Sequence, residues 1–191
     1  MEIGVDEAGR GCWAGPVFAA AVIWPKNISP MGITDSKKLS EKQRNILKEY
    51  VEENAIEWAV GMSSEKEIDD INILNATYLA MHRALDQIKN KIECIQIDGN
   101  RFNGYKNIKY ECIIKGDTKC INISAASILA KTYKDDYIKK LCENNPELDE
   151  KYGWLKNKCY GTKVHRDGII NYGITEYHRK SYKPCQIFKF N

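Results

Sequence analysis

Short apolar runs ended by glycine, proline or acid alternate along this chain with stretches in which apolar residues recur at helical spacing. The first run, Ile3-Gly4-Val5, meets Asp6-Glu7. The second, Val17 to Trp24, is enclosed by Pro16 and Pro25. Its length and boundaries predict a buried strand. Ser40-Glu41-Lys42-Gln43 has the form of a capping box and is followed by Ile46, Leu47, Tyr50 and Val51, which predicts a helix over about 41–53. Ile56 to Met62 reads as a strand. Ser64-Glu65-Lys66-Glu67 is a second capping box, opening a short helix, and a longer helix is expected from about Ile73 to Ile88. Ile92 to Ile97 is a buried strand ending at Asp98-Gly99, and Ile108 to Ile114 is another, ending at Lys115-Gly116-Asp117. Helical character returns from about Asn122 to Cys142 and stops before Asn145-Pro146, because proline bars its predecessor from the helical region.

This order of elements predicts an α/β fold, a mixed sheet flanked by helices. Past Pro146 the pattern breaks into short aromatic segments and helical turns, with Thr162 a candidate N-cap. Two units are expected: a main α/β domain over 1–145, and a small, mostly helical appendage over 146–191 packed beside the sheet.

Composition narrows the class. The chain has 191 residues, 43% of them hydrophobic, and a mean hydropathy of −0.52, as suits a soluble domain. With no 18-residue apolar stretch and no basic-then-apolar leader, no membrane partner is expected and the cytoplasm is the default location. Seven cysteines without C-x-x-C spacing argue against both a disulfide framework and a zinc ribbon, so reduced thiols are expected. The net charge of +3 conceals an asymmetry: residues 1–149 carry 20 Lys+Arg against 23 Asp+Glu, residues 150–191 carry 9 against 3. A basic segment interleaved with Tyr152, Trp154, Tyr160, Tyr172, Tyr177 and Tyr182 suits a surface that binds phosphates and stacks on sugars or bases.

The chemistry concentrates at Asp6-Glu7-Ala8-Gly9-Arg10-Gly11. Side chains alternate along a strand, so both acids reach one site only if the strand ends or bends there, which Gly9 and Gly11 would allow. Paired carboxylates suggest a hard cation, and Arg10 with the turn amides suggests an anion nearby. Gly9-Arg10-Gly11-Cys12-Trp13-Ala14 also fits the dinucleotide fingerprint G-x-G-x-x-A, but that reading needs a helix where the Pro16-bounded strand is expected. Asp98 repeats the design of Asp6, an acid at a strand end before glycine, so the two can meet at one sheet edge.

Gly4 to Ala21 resembles the opening signature of the ribonuclease HII family. The resemblance continues in order through Asp35-Ser36-Lys37-Lys38-Leu39-Ser40, Ile68-Asp69, Asn72-Ile73-Leu74-Asn75-Ala76-Thr77 and Ile97-Asp98-Gly99-Asn100. Further blocks are Lys115-Gly116-Asp117, Ser124 to Lys131, Tyr160-Gly161-Thr162 with His165, and His178-Arg179-Lys180-Ser181-Tyr182. It implies the ribonuclease H-like fold and an endonuclease that cuts the RNA strand of RNA/DNA hybrids and the 5′ side of ribonucleotides in duplex DNA, leaving 3′-hydroxyl and 5′-phosphate ends. It implies metal ligation by Asp6, Glu7, Asp98 and Asp135, with Asp6 bridging two ions, and it makes Asp135, not Asp136, the fourth carboxylate. Family members usually have arginine where Lys134 stands. Carboxylates without histidine or thiolate partners favour Mg2+ or Mn2+ over zinc. The resemblance further assigns reading of the 2′-hydroxyl to the backbone of Gly9, Arg10 and Gly11, and stacking on the neighbouring sugar to Tyr160. Lys37 is a candidate phosphate contact, with Lys131 and Lys134 as helpers. Arg10 in the turn and only five residues before Asp6 favour type II over type III.

His165 and His178 match family positions without metal-ligand spacing, and His82 reads as structural or surface. A catalytically silent hybrid-binding protein, a dinucleotide-dependent oxidoreductase and a transposase or resolvase are the competing classes. A monomer is expected. The ending Gln186 to Asn191 is a poor match to a sliding-clamp peptide, lacking its spacing and paired aromatics, so a clamp is an unfavoured partner.

Overall fold

A computed structural model describes residues 1–34, 36 and 39–186. Lys37 and the end of the tail that bears on clamp binding therefore lie outside the described residues. Five strands form one mixed sheet: β1 (Glu2–Ala8), β2 (Val17–Ile23), β3 (Glu57–Ser63), β4 (Cys94–Asp98) and β5 (Lys109–Ile113), in the order β3-β2-β1-β4-β5. β2 runs antiparallel to both β1 and β3, while β4 lies parallel between β1 and β5. The helices are α1 (Glu41–Asn54), α2 (Glu65–Leu85), α3 (Ile121–Asn144), α4 (Pro146–Tyr152), α5 (Trp154–Asn157), α6 (Lys163–Tyr172) and α7 (Lys183–Gln186). Among the described residues no helix is long and apolar enough to cross a membrane.

Both capping boxes form as expected, Ser40 with Gln43 and Ser64 with Glu67. The short and long helices expected after Ser64 are both present within α2, meeting at a kink at Asn72, where φ is 67°. Asn72 turns its side-chain oxygen to the amides of Leu74 and Asn75 at 3.0 and 3.1 Å, capping the second half. Thr162 caps α6 through the His165 amide.

β2 is buried along its whole length because helices cover both faces. Its alternate residues divide between two cores: Val17, Ala19, Ala21 and Ile23 pack with Ile3, Val5, Ile95, Ile97 and α2, whereas Ala20 and Val22 pack with α1 and α3. α3 lies so close to β1 that a Cβ on Gly4 would sit 2.2 Å from the Asn122 backbone. A third core joins Cys12 and Ala14 to Ile138 and Cys142 of α3 and to Leu148, Tyr152, Trp154, Ile169 and Cys185. The helical turns after Pro146 are thus packed directly on the loop that follows β1. All seven cysteines are free thiols.

Candidate active site

One expectation about β1 is corrected at once. The strand neither ends nor bends between Asp6 and Glu7 but continues to Ala8, because β2 supplies paired partners Ala20, Ala19 and Phe18 throughout. The two acids consequently point to opposite faces. Asp6 shares the α3 face with Gly4, and Glu7 turns to the α2 face.

Asp98 ends the neighbouring parallel strand β4, and its Oδ1 accepts the Gly116 amide at 2.7 Å. That contact brings in the turn after β5, Gly116–Thr118, which carries Asp117. Its approach depends on Lys115 in the left-handed region (φ 57°) and on the absence of a side chain at Gly116, where a Cβ would lie 2.5 Å from Ile123. The Ser124 hydroxyl donates to the Asp117 carbonyl at 2.7 Å, fixing the turn to the start of α3. Asp6, Asp98 and Asp117 each offer an oxygen within 4.8 Å of the others, and they are the one group with metal-ligand spacing among the described residues. Asp6 is buried, and desolvation followed by the charges of Glu7 and Asp98 holds its carboxyl well above the usual range. Three converging oxygen donors, one of them costly to ionise unaided, fit a hard divalent cation. Glu7 flanks the group, lining with Asp98, Arg10 and Arg101 a cavity of 410 Å³.

The expectation that Asp135 completes this group is not met. Its oxygens face Lys131 at 2.9 Å, Lys134 at 3.2 Å and Arg44 at 3.9 Å, so three cations of the chain already occupy the surroundings a metal would need. Asp136 is exposed and pairs with Lys48 at 2.8 Å. Asp117 stands where Asp135 was expected. A signal for it was present: Lys115-Gly116-Asp117 follows a strand with an acid beside glycine, as at Asp98.

Beside the acids lies the turn Gly9-Arg10-Gly11. Gly9 has φ 96°, a conformation that L side chains rarely adopt, and its carbonyl accepts the Cys12 amide at 3.2 Å. Cys12 then pairs with Tyr160, and the Trp13 amide bonds the Cys159 carbonyl at 2.9 Å, so the Tyr160 segment lies alongside the turn. Trp13 covers Gly161 so closely that a Cβ there would lie 2.1 Å from its ring. The half-exposed Tyr160 ring passes close to Gly11 and has the Lys134 ammonium 4.6 Å from its centroid. Lys134, fully buried, also donates to the Lys158 carbonyl at 2.7 Å. A 210 Å³ cavity is lined by Asp6, Glu7, the turn, Ser36, Ser127, Lys131 and Tyr160. Acids, turn, lysine and tyrosine therefore share one surface.

His165 and His178 are buried in the third core with Trp154. The Trp154 indole donates to His165 Nε2 at 3.1 Å, the two Nε2 atoms are 3.2 Å apart, and the Thr175 amide donates to His178 Nδ1 at 2.9 Å. This network assigns His178 the Nε2–H tautomer and leaves His165 donating from Nδ1 to the Tyr160 carbonyl at 3.1 Å. Burial lowers the two to about 4 and about 3, so both are neutral core residues. His82 is structural, its Nε2 meeting the Gly104 carbonyl at 2.7 Å.

The family model for ribonuclease HII matches residues 3–185. The chain belongs to the ribonuclease HII family. It is similar to the ribonuclease HII of Parabacteroides distasonis, with 54% identity over 95% of this chain and 89% of that one, and equally to that of Bacteroides thetaiotaomicron (strain VPI-5482), with the same identity and coverage. Among solved structures, the ribonuclease H2 of Pyrococcus horikoshii OT3 superposes with a TM-score of 0.78 at 25% identity, covering 97% of this chain and 95% of that one. The expected ribonuclease H-like fold is thereby borne out. Membership in the ribonuclease HII family makes the chain a ribonuclease H, a hydrolase of the endonuclease class. The oxidoreductase reading fails independently, since β2, not a helix, follows the turn.

Proposed function

We propose that this enzyme cuts the RNA strand of RNA/DNA hybrids, and the 5′ side of single ribonucleotides in duplex DNA, leaving 3′-hydroxyl and 5′-phosphate ends. The observation that carries the reading is the common surface on which Asp6, Asp98 and Asp117 adjoin the Gly9-Arg10-Gly11 turn and Tyr160. Asp6, Asp98 and Asp117, flanked by Glu7, would hold Mg2+ or Mn2+, two ions with substrate bound, while Asp135, already paired with cations of the chain, would stay outside the ligand set. When bound, such ions supply Lewis acidity for the attack of water on a phosphodiester.

The chain's own groups set position and specificity. Asp6 and Asp98 are held rigidly on adjacent parallel strands, which limits the reorganisation needed at the reacting phosphate. Turn amides read the 2′-hydroxyl, the group that separates RNA from DNA. Tyr160 offers a stacking face for the next sugar, and Lys131 a charge for the strand. Lys37, beyond the described residues, is retained as a phosphate contact. The basic segment 146–191 contributes to binding, and the enzyme acts as a soluble cytoplasmic monomer.

A labelled duplex containing one ribonucleotide tests this. Magnesium should give one cut on the 5′ side of the ribonucleotide, with a 3′ end that a DNA polymerase extends, and excess chelator should abolish it. A cut on the 3′ side, or one that persists in chelator, would overturn the reading.

A further inference from the structure

The fully buried Arg179 and the half-buried Tyr182 do not touch the acid group, yet they hold the opposite side of the turn beside it. Arg179 Nη1 donates to the Arg10 carbonyl at 2.9 Å and to the Tyr182 hydroxyl at 3.0 Å, and that hydroxyl donates onward to the same Arg10 carbonyl at 2.6 Å. Arg179 Nε reaches the Gly15 carbonyl at 2.9 Å, and its backbone amide the Trp13 carbonyl at 2.8 Å. One guanidinium fork thus spans the segment from Arg10 to Gly15. A lysine, with a single nitrogen, cannot meet these acceptors in the same geometry.

The Arg10 carbonyl and the Gly11 amide belong to one planar trans peptide, in which C=O and N–H point in opposite directions. Two donors draw the carbonyl inward, so the amide must face outward, at exposed Gly11 beside the Tyr160 ring. We infer that Arg179 and Tyr182 are positioning residues for ribose recognition, which aim the Gly11 amide at the substrate's 2′-hydroxyl by anchoring the Arg10 carbonyl. The relay through the Tyr182 hydroxyl polarises both bonds in the same sense. This inference rests on the proposed reading that turn amides sense ribose.

The test measures binding in excess chelator of two duplexes of one sequence, one with a single ribonucleotide and one all DNA. The parent should prefer the ribonucleotide duplex by roughly three- to tenfold, the range expected of one net hydrogen bond. Tyr182→Phe should reduce that ratio toward one by weakening only the ribonucleotide complex, with an unchanged melting temperature. Arg179→Lys should remove the preference; should it fail to fold, Tyr182→Phe alone decides. A parent-like ratio in folded Tyr182→Phe overturns the inference while leaving ribose sensing intact, and equal weakening on both duplexes overturns it as well. A parent without any preference in chelator overturns the ribose-sensing reading and this inference together.

Discussion

Asp6 and Asp135 are almost equally buried, at 5% and 6% exposure, yet stand in opposite surroundings. Asp6 has Glu7, Asp98 and Asp117 as neighbours, a gathering of like charge that a metal would relieve. Asp135 faces Lys131, Lys134 and Arg44, whose charges already compensate it. Burial makes either carboxylate expensive to ionise, and the sign of the surrounding charge decides what each can do. Asp6 itself stands among acids, where an added cation would stabilise it. Asp135 fixes cations of the chain, and through Lys134 it reaches Tyr160 and the Lys158 carbonyl.

Replacing aspartates of the acid group, and Asp135, by asparagine is the most direct way to break this comparison. Asp117→Asn should lower turnover in magnesium by at least roughly a thousandfold, since it removes charge from a site whose metal supplies several kcal/mol of transition-state stabilisation. Asp98→Asn should behave alike, with folding preserved in both. Steady-state rates on a single-ribonucleotide duplex decide the matter. If Asp117→Asn stays active while folded Asp135→Asn is dead, the ligand set proposed here is wrong.

Stability should move the other way. Asp135→Asn leaves the buried Lys134 with its charge uncompensated and should cost about 3 kcal/mol, the lower end for breaking a buried pair because Lys134 keeps its hydrogen bond to the Lys158 carbonyl. Asp6→Asn should instead raise the melting temperature in chelator, because it relieves repulsion. Magnesium should raise the melting temperature of the parent and leave Asp6→Asn unmoved. Denaturant titrations of both variants, with and without magnesium, test the contrast.

Much of this was legible in the sequence, and the gaps have physical causes. Caps and breaks depend on local contacts, so Ser40, Ser64 and Thr162 marked their helices correctly. Asp98 was legible because acid, strand end and glycine are adjacent in the chain. The course of β1 through Asp6 and Glu7 was not, since continuity of a strand depends on its partner, here Ala19 and Ala20 of β2. That Asp135 sits among cations and not beside Asp6 was not legible, because helix periodicity shows which residues share a face but not which distant cations that face meets. Arg44, nearly a hundred positions upstream, is invisible from α3. The grip of Arg179 on the turn is equally non-local.

The buried histidine pair is a third case, in which neither charge nor metal is wanted. Burial lowers His165 to about 4 and His178 to about 3, below the ordinary value near 6.5. As pH falls below 6.5, the unfolded chain takes up protons that the folded one refuses, so stability should decline. The slope reaches about 1.4 kcal/mol per unit for each histidine and flattens once pH passes the folded values. Asp6 contributes with the opposite sign in chelator: its raised value favours the folded state at low pH and loses that advantage as pH rises through it. Unfolding free energies between pH 7.5 and 4.5 should therefore fall toward acid less steeply in His178→Asn than in the parent. Parallel curves would show that the pair does not titrate on unfolding as described.

The smallest expected effect lies at Tyr160, where the two surroundings meet: Lys134, compensated by Asp135, supports its ring, and the cavity beside Asp6 opens next to it. Stacking on an aromatic platform is worth ~1 to 3 kcal/mol, and a half-exposed ring should fall near the lower end. Tyr160→Ala should therefore weaken cleavage of a single embedded ribonucleotide by roughly five- to tenfold while metal affinity stays at the parent value. Substrates with one, four or many consecutive ribonucleotides would show whether the loss depends on a DNA sugar following the ribose. Lys134→Met, which removes the charge beneath the ring but keeps its packing, should follow the same substrate order with a smaller loss. If Tyr160→Ala cleaves every substrate like the parent, or binds magnesium much more weakly, the ring does not read the sugar, and the link from Asp135 through Lys134 to substrate choice is broken.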